Sequence, residues 1–491
     1  MIESTTGTTA FVLAGGGTKG SFEAGALAYL VGTERIIPDI VTATSAGAIA
    51  AAVLAQARTH DEFAQRVQEI EDDILAMTRT EHVFGEQAWL RALKGTALGR
   101  SVQSAVTQGA GTQGATPVVT LNQAMPGYGV DTAIGRPPSI RAQRRAARKV
   151  RRQRQRRMFR LAAGALHRLP MAHKRLATSG SSVLTLEPLA AALRQGGQSG
   201  IQPIDLALIS RPGLQLRLAV VALRAGVLRY VTENGTIVEE DAQTPAPGPA
   251  AGPVDLVEGA LASASVPLVF PPRHLADDDY VDGGVLQIIP IRAAVQLGAS
   301  RIIAVVAMPL ALARDERNFA ESQAANVGIR AMGMIGMAAR QQENLATPLP
   351  AGVTLTTIDP IIDVVGLFEV QPGLLRINKD YGWLRAADIL APGCPTMVAE
   401  VAEATHRLIR ARLQAWHIEE SLWVSTLRTG EIDAGTMALI RELKQEIYAV
   451  VDQRKQLGFP VPDGCEVWWT DYEAHGGLRP SNLPACPEPL R

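Results

Sequence analysis

Residues 9–22 read Thr9-Ala10-Phe11-Val12-Leu13-Ala14-Gly15-Gly16-Gly17-Thr18-Lys19-Gly20-Ser21-Phe22, and residues 40–47 read Ile40-Val41-Thr42-Ala43-Thr44-Ser45-Ala46-Gly47. In the first stretch the apolar run Thr9 to Leu13 enters a glycine loop, after which Phe22, Ala26, Leu27 and Leu30 recur at helical spacing. The second stretch predicts a buried strand, Ile40 to Ala43, that turns at Ser45 into an alanine-rich helix, Ala46 to Ala55. Strand, turn and helix thus occur twice in succession. That alternation predicts an α/β fold with a mostly parallel central sheet flanked by helices, and it places both turns at the carboxyl edge of the sheet, where ligands bind in such folds.

Working outward, order resumes at Leu184 to Leu193. Apolar runs Leu214 to Leu223 and Val227 to Val231, around Ala225-Gly226, predict a hairpin or neighbouring strands. Thr244 to Pro253 reads as a loop, Leu256 to Ala264 as a helix, Val281-Asp282-Gly283-Gly284 as a turn and Ile291 to Leu297 as a helix. Ile302 to Val306 reads as one more buried strand, which closes the α/β unit near residue 310. Met397 to Trp416 and Thr436 to Gln456 are amphipathic helical patterns, and the tail after Phe459 is rich in Pro and Gly. The expected division is therefore an α/β domain over 9–293, the end of that unit with a connecting region over 294–394, and a helical C-terminal extension over 395–491. An insertion at about 80–180 interrupts the first part, and no internal repeat is visible.

The chain has 491 residues, 47% of them hydrophobic, which is ample for a packed core and excludes wholesale disorder. Lys+Arg and Asp+Glu balance at 48 each, so the whole molecule has no bias toward nucleic acid. The balance conceals an asymmetry: residues 136–175 hold 15 Lys or Arg and no acid, leaving 33 basic against 48 acidic residues elsewhere. Cys394, Cys465 and Cys486 are too dispersed for a disulfide framework or a zinc site, and no run of 18 uncharged apolar residues is present. With no secretory pattern at Met1 to Ala10, a cytoplasmic location is expected.

Ser45 has two readings: a helix N-cap in a small-residue turn, or a nucleophile on a sharp strand-to-helix bend, where the N–H groups of the following helix favour a developing anion. Ala43 stands where such an elbow usually carries Gly. The loop also has two readings, since Gly15, Gly17 and Gly20 satisfy G-x-G-x-x-G with Glu34 and Asp39 downstream as ribose acids. Against a dinucleotide site, the next strand runs into Ser45 instead of ending on an acid, and three successive glycines present N–H groups to an oxyanion equally well. None of His60, His82, His167, His173, His274, His406, His417 and His475 stands in a telling context as a base. Asp282 precedes Gly283-Gly284, which allows close backbone approach, although Asp-Gly is also a common turn.

Taken together, these motifs resemble the patatin-like phospholipases: a G-G-G-x-K/R-G loop at Gly15, Gly16, Gly17, Thr18, Lys19 and Gly20, an elbow from Ala43 to Gly47 around Ser45, and an acidic turn at Asp282, Gly283 and Gly284. Ala262-Ser263-Ala264-Ser265-Val266-Pro267 through Pro272 is similar to the segment these proteins place before their aspartate, and 375–388 looks like a feature of bacterial members. The likeness covers roughly residues 9–293. It implies a three-layer fold, a Ser45–Asp282 dyad without histidine, an oxyanion hole at the glycine loop, no cofactor or metal, and an acyl ester of a phospholipid or related lipid as substrate. A catalytically silent lipid-binding or scaffold protein of the same fold is the alternative; a nucleotide-dependent enzyme is a weaker one. On this reading Asp282 needs burial to raise its pKa toward neutrality. The basic run, with 11 Lys or Arg between Arg141 and Arg160, then reads as an anionic-membrane anchor, with nucleic-acid binding or docking on the protein's own acidic face as the other options.

Overall fold

The computed structural model describes residues 7–87, 184–196, 201–247, 253–276, 278–309, 349–391, 395–429 and 434–470, together with Ser182, Ala331 and Met334. Most of the 80–180 insertion, with the basic run Arg141–Arg160, lies outside the described residues, as do His167, His173, His475, Cys394 and Cys486.

The strands are β1 (Thr9–Leu13), β2 (Ile40–Thr44), β3 (Gly85–Glu86), β4 (Leu184–Thr185), β5 (Gln215–Ala222), β6 (Val227–Thr232), β7 (Ile237–Val238), β8 (Arg273–Leu275), β9 (Asp278–Asp282), β10 (Arg301–Val305) and β11 (Thr354–Ile358). The helices are α1 (Gly20–Leu27), α2 (Ala46–Leu54), α3 (His60–Ala76), α4 (Glu187–Gln195), α5 (Leu206–Ile209), α6 (Leu256–Ser263), α7 (Ile291–Gln296), α8 (Pro372–Leu390), α9 (Pro395–Thr429), α10 (Ala434–Gln456) and α11 (Val467–Thr470). The main sheet runs β11-β10-β1-β2-β5-β6-β7, with β9 also on β5 and β8 on β9, while β3 and β4 form a separate pair. From β11 to β5 every pairing is parallel; β6, β7, β8 and β9 join antiparallel. This is the expected mostly parallel sheet with helices around it, followed by a helical C-terminal region.

The central strands read as continuous apolar runs because both faces are covered. Phe11 and Leu13 belong to the large core on one face, with Phe22, Leu27, Ala48 and Leu261, whereas Ala10 and Val12 belong to a smaller core on the other, with Ile302, Ala304 and Ala294. The hydroxyls of the buried Thr42 and Thr44 on β2 donate to Pro290 O at 2.9 Å and Gln287 O at 3.1 Å, so neither is left unsatisfied.

Three sequence expectations are amended. The sheet does not close with β10, because β11 pairs parallel beside it, Arg301 opposite Thr354. The turn expected over Val281 to Gly284 starts only after Asp282, because Val281 and Asp282 end strand β9 and Gly283–Val285 form the turn. Residues 372–390, unassigned from the sequence, form the long helix α8, buried along Leu374, Leu375, Ile377, Asn378, Tyr381 and Leu384 among others. Its buried polar residues on several sides erase the one-sided apolar stripe that identifies a surface helix.

Candidate active site

Strand β5 brings the two candidate catalytic residues together. Thr44 on β2 pairs with Ala219, and the next residue, Val220, pairs with Asp282 on β9. Ser45, which follows Thr44, and Asp282 therefore flank adjacent positions of one strand although 237 places separate them in sequence. Because β2 runs parallel to β5 and β9 antiparallel to it, the C-terminal ends of β2 and β9 meet head to head beside Ala219 and Val220.

Ser45 holds φ 57° and ψ −129°, a conformation that side-chain-bearing residues adopt only when their surroundings impose it. Small neighbours make this possible. A Cβ on Gly47 would lie 2.8 Å from both Leu13 O and Ala14 O, and one on Gly15 would lie 2.5 Å from Ser45 Cβ, so glycine is required at both positions. The Ala43 methyl, where an elbow usually has Gly, is fully buried in the core and is accommodated there. The N–H of Ser45 donates to Ser263 Oγ at 3.0 Å, and Ser263 Oγ donates to Ala219 O at 2.6 Å, which ties the bend to the end of α6. The Ser45 side chain makes no capping hydrogen bond to α2, so the N-cap reading does not describe it.

Asp282 is 4% exposed. Its N–H donates to Ser265 O at 3.0 Å, and its Oδ1 accepts the Gly284 N–H at 2.7 Å. The segment from Ala262 to Pro267 thus supports both residues, Ser45 through Ser263 and Asp282 through Ser265. Glycine is also forced after Asp282, since a Cβ on Gly283 would lie 2.4 Å from Ala219 O and one on Gly284 2.9 Å from Asp282 Oδ1. Burial pushes the carboxyl up to about 7, against the opposing pull of the Ser45 hydroxyl and the Gly284 N–H. Asp282 Oδ2 is buried with no partner at full hydrogen-bond geometry, so the Ser45 contact is looser than a formed bond, as resting catalytic pairs often are.

In the glycine loop the N–H groups of Thr18, Lys19 and Gly20 are taken by Leu367 O, Gly16 O and the carbonyls of Gly17 and Thr18. Among the described residues the N–H groups of Gly15, Gly16 and Gly17 have no such acceptor, and Gly15 lies against Ser45. The side chains of Thr18 and Lys19 are held elsewhere: Thr18 Oγ1 donates to Gly366 O, and the buried Lys19 ammonium pairs with Asp363. The loop's one cation is thus engaged by a carboxylate from a distant part of the chain.

An apolar cavity opens at Ser45, with Ile49, Ala50, Val53, Phe84, Leu189 and Phe368 among its walls. Among the described residues no histidine lines it, and the exposed His274 instead pairs with the half-buried Asp279 at 3.0 Å. Two acids in its wall have no counterpart in the sequence reading. Glu23 is 1% exposed, burial holds it well above the usual carboxylate range against an opposing pull from the Ala14 backbone, and among the described residues neither of its oxygens has a partner at full hydrogen-bond geometry. Burial pushes Asp73 up to about 7 although its Oδ1 accepts the Gln202 N–H at 3.2 Å. Glu23 carried a signal, being the lone acid in an otherwise apolar run from Ser21 to Val31. Among the described residues no group of three His, Cys, Asp or Glu side chains is placed to hold a metal ion, and no helix is long and apolar enough to cross a membrane.

A family model described as patatin-like phospholipase matches residues 11–295. Among solved structures, the crystal structure of VipD from Legionella pneumophila is similar at 15% identity and a TM-score of 0.29, over 94% of this chain and 83% of that one. No curated protein matches the chain.

Proposed function

Since the chain belongs to the patatin-like phospholipase family, a family of lipid acyl hydrolases, we propose that it cleaves fatty acyl esters of phospholipids or related lipids with Ser45 as nucleophile and Asp282 as base. The observation that carries this reading is the junction at β5, where a strained, non-capping serine and a buried carboxyl with a pKa near 7 meet beside a glycine loop. A nucleotide site calls for neither a strained serine nor a buried carboxyl beside it, and a silent protein of the same fold would give no Ser45-dependent turnover.

In the proposed reaction the Asp282 carboxylate accepts the Ser45 Oγ proton as Oγ attacks the acyl carbonyl carbon. The negative charge that develops on the carbonyl oxygen is met by the N–H groups of Gly15, Gly16 and Gly17, with the N-terminal end of α2 adding a favourable field. Collapse of the tetrahedral intermediate breaks the ester C–O bond, and Asp282 returns its proton to the departing alkoxide. Water, deprotonated by Asp282, then attacks the acyl-serine and releases the fatty acid, restoring the Ser45 hydroxyl. A carboxyl near 7 is ionised in a useful fraction at neutral pH yet is a far stronger base than an exposed aspartate. The acyl chain occupies the apolar cavity, which excludes water and contributes about 0.8 kcal/mol per buried methylene. The basic run Arg141–Arg160 is proposed to hold the enzyme at an anionic membrane, and Gln at Arg144, Arg145, Arg148, Arg151, Arg152 and Arg154 should reduce sedimentation with anionic vesicles without affecting soluble-ester hydrolysis.

The test is release of fatty acid from a soluble short-chain ester and from phospholipid vesicles by the parent, Ser45→Ala and Asp282→Asn. Parent turnover that both substitutions abolish supports the assignment. Turnover that survives Ser45→Ala refutes it.

A further inference from the structure

Residues 359–378 lie beyond the family-matched region, yet they grip the glycine loop. Thr18 N–H donates to Leu367 O at 3.0 Å, and Thr18 Oγ1 donates to Gly366 O. Lys19 Nζ pairs with Asp363 Oδ1. Asn378 Nδ2, 3% exposed as a residue, donates to Lys19 O at 3.2 Å and to Ser21 Oγ at 2.8 Å. The approach is close enough that a Cβ on Gly17 would lie 2.1 Å from Leu367 O. Phe368 and Leu375 of the same segment line the cavity.

The segment is itself braced on α8, where Tyr381 Oη accepts the Ile361 N–H at 2.9 Å and Arg385 Nε donates to Asp359 O at 3.0 Å, and internally, where Glu369 Oε2 accepts the Gly366 N–H at 3.0 Å. Helix α8 in turn lies against α1 at glycine-limited distance: a Cβ on Gly25 would lie 1.7 Å from Lys379 O, and one on Gly382 would lie 1.9 Å from Phe22 O. An unbroken set of contacts therefore runs from α1 through α8 and the strap to the loop that opens α1. Donors must be fixed within a fraction of an ångström to act on a transition state, so what clamps the loop bears on rate.

We infer that Asn378 and Asp363 are positioning residues for the glycine loop, so that the hydrolytic site is complete only when residues 359–378 are seated on it. The inference rests on the reading of that loop as the oxyanion hole. Neither residue touches the substrate; Asn378 acts through Lys19 O and Ser21, and Asp363 acts through Lys19.

The experiment measures kcat and KM on a soluble short-chain ester for the full chain and for Asn378→Ala, Asn378→Leu and Asp363→Asn, with Ser45→Ala as the reference for the underlying reading. Asn378→Leu fills the same space without donating, so it separates hydrogen bonding from packing. The expected result is a fall in kcat of about ten-fold or more for both Asn378 variants, a smaller fall for Asp363→Asn, and KM within about two-fold of the parent throughout, the signature of lost transition-state contacts. Parent kcat in a folded Asn378→Ala protein, or its restoration by Leu, overturns the inference. Should Asn378→Ala fail to fold, unchanged kcat in Asp363→Asn overturns it instead. Ser45-independent hydrolysis by the parent removes the underlying reading, and the inference with it, and is told apart by the Ser45→Ala measurement.

Discussion

Replacing Asp282 with Asn keeps the side chain's size and its acceptance of the Gly284 N–H but removes the proton that titrates. In the folded chain this carboxyl lies at about 7 against an ordinary 3.8, with burial the larger cause and the Ser45 and Gly284 contacts opposing it. A carboxyl whose pKa is raised by folding contributes stability fully below pH ~4, and that contribution is lost as pH rises through about 7. Three pKa units at about 1.4 kcal/mol each give an upper bound of about 4 kcal/mol of destabilisation in the parent above pH ~8, which Asn escapes. Asp73 is raised in the same window but is present in both proteins, so it cancels in the comparison. Asp282→Asn should therefore gain stability over the parent between pH 4 and 8.5, by urea unfolding, while hydrolysis of a soluble ester falls by roughly 10² to 10⁴. A stability difference that stays constant across that range, or a variant that turns over like the parent, refutes the argument. Such an exchange of stability for activity is expected where a site holds a buried group in its less stable form.

Three related outcomes follow from the same geometry. The kcat/KM of the parent should rise with pH through an apparent pKa near 7, and a profile already flat above pH 5 would mean an exposed carboxylate is the base. Gly15→Ala places a methyl 2.5 Å from Ser45 Cβ, so kcat should drop about 100-fold while KM changes little; a pure rise in KM would make the loop a binding element only. Ala50→Phe intrudes on the cavity beside Ser45; if it displaces two or three acyl methylenes at about 0.8 kcal/mol each, long-chain esters should lose roughly 30-fold in kcat/KM relative to acetyl esters. Equal losses on both substrates would place the acyl chain elsewhere.

The parts of the site that were legible in sequence are those written in adjacent residues. Thr9 to Gly20 and Ile40 to Gly47 each encode a strand, its turn and the start of a helix within a dozen positions, and Asp282-Gly283-Gly284 encodes its own turn. What was not legible depends on partners far apart in the chain. Lys19 is legible as the basic residue of the loop, but its partner Asp363 lies 344 residues on. Asn378 carries no local signal, because its significance arises only from the packing of α8 on α1. Helix α8 itself escaped because burial on several sides, with Asn378, Asp380, Arg385 and Asp388 inside, leaves no amphipathic period to read. Asp73 carries no local signal either, and only the fold of α3 puts it in the cavity wall.

Activation of the Ser45 hydroxyl is read out by exposing the protein to a fluorophosphonate and locating the adduct by mass spectrometry. A single adduct on Ser45 is expected, formed more slowly in Asp282→Asn and absent in Ser45→Ala. An unlabelled parent, or an adduct on another residue, would contradict it.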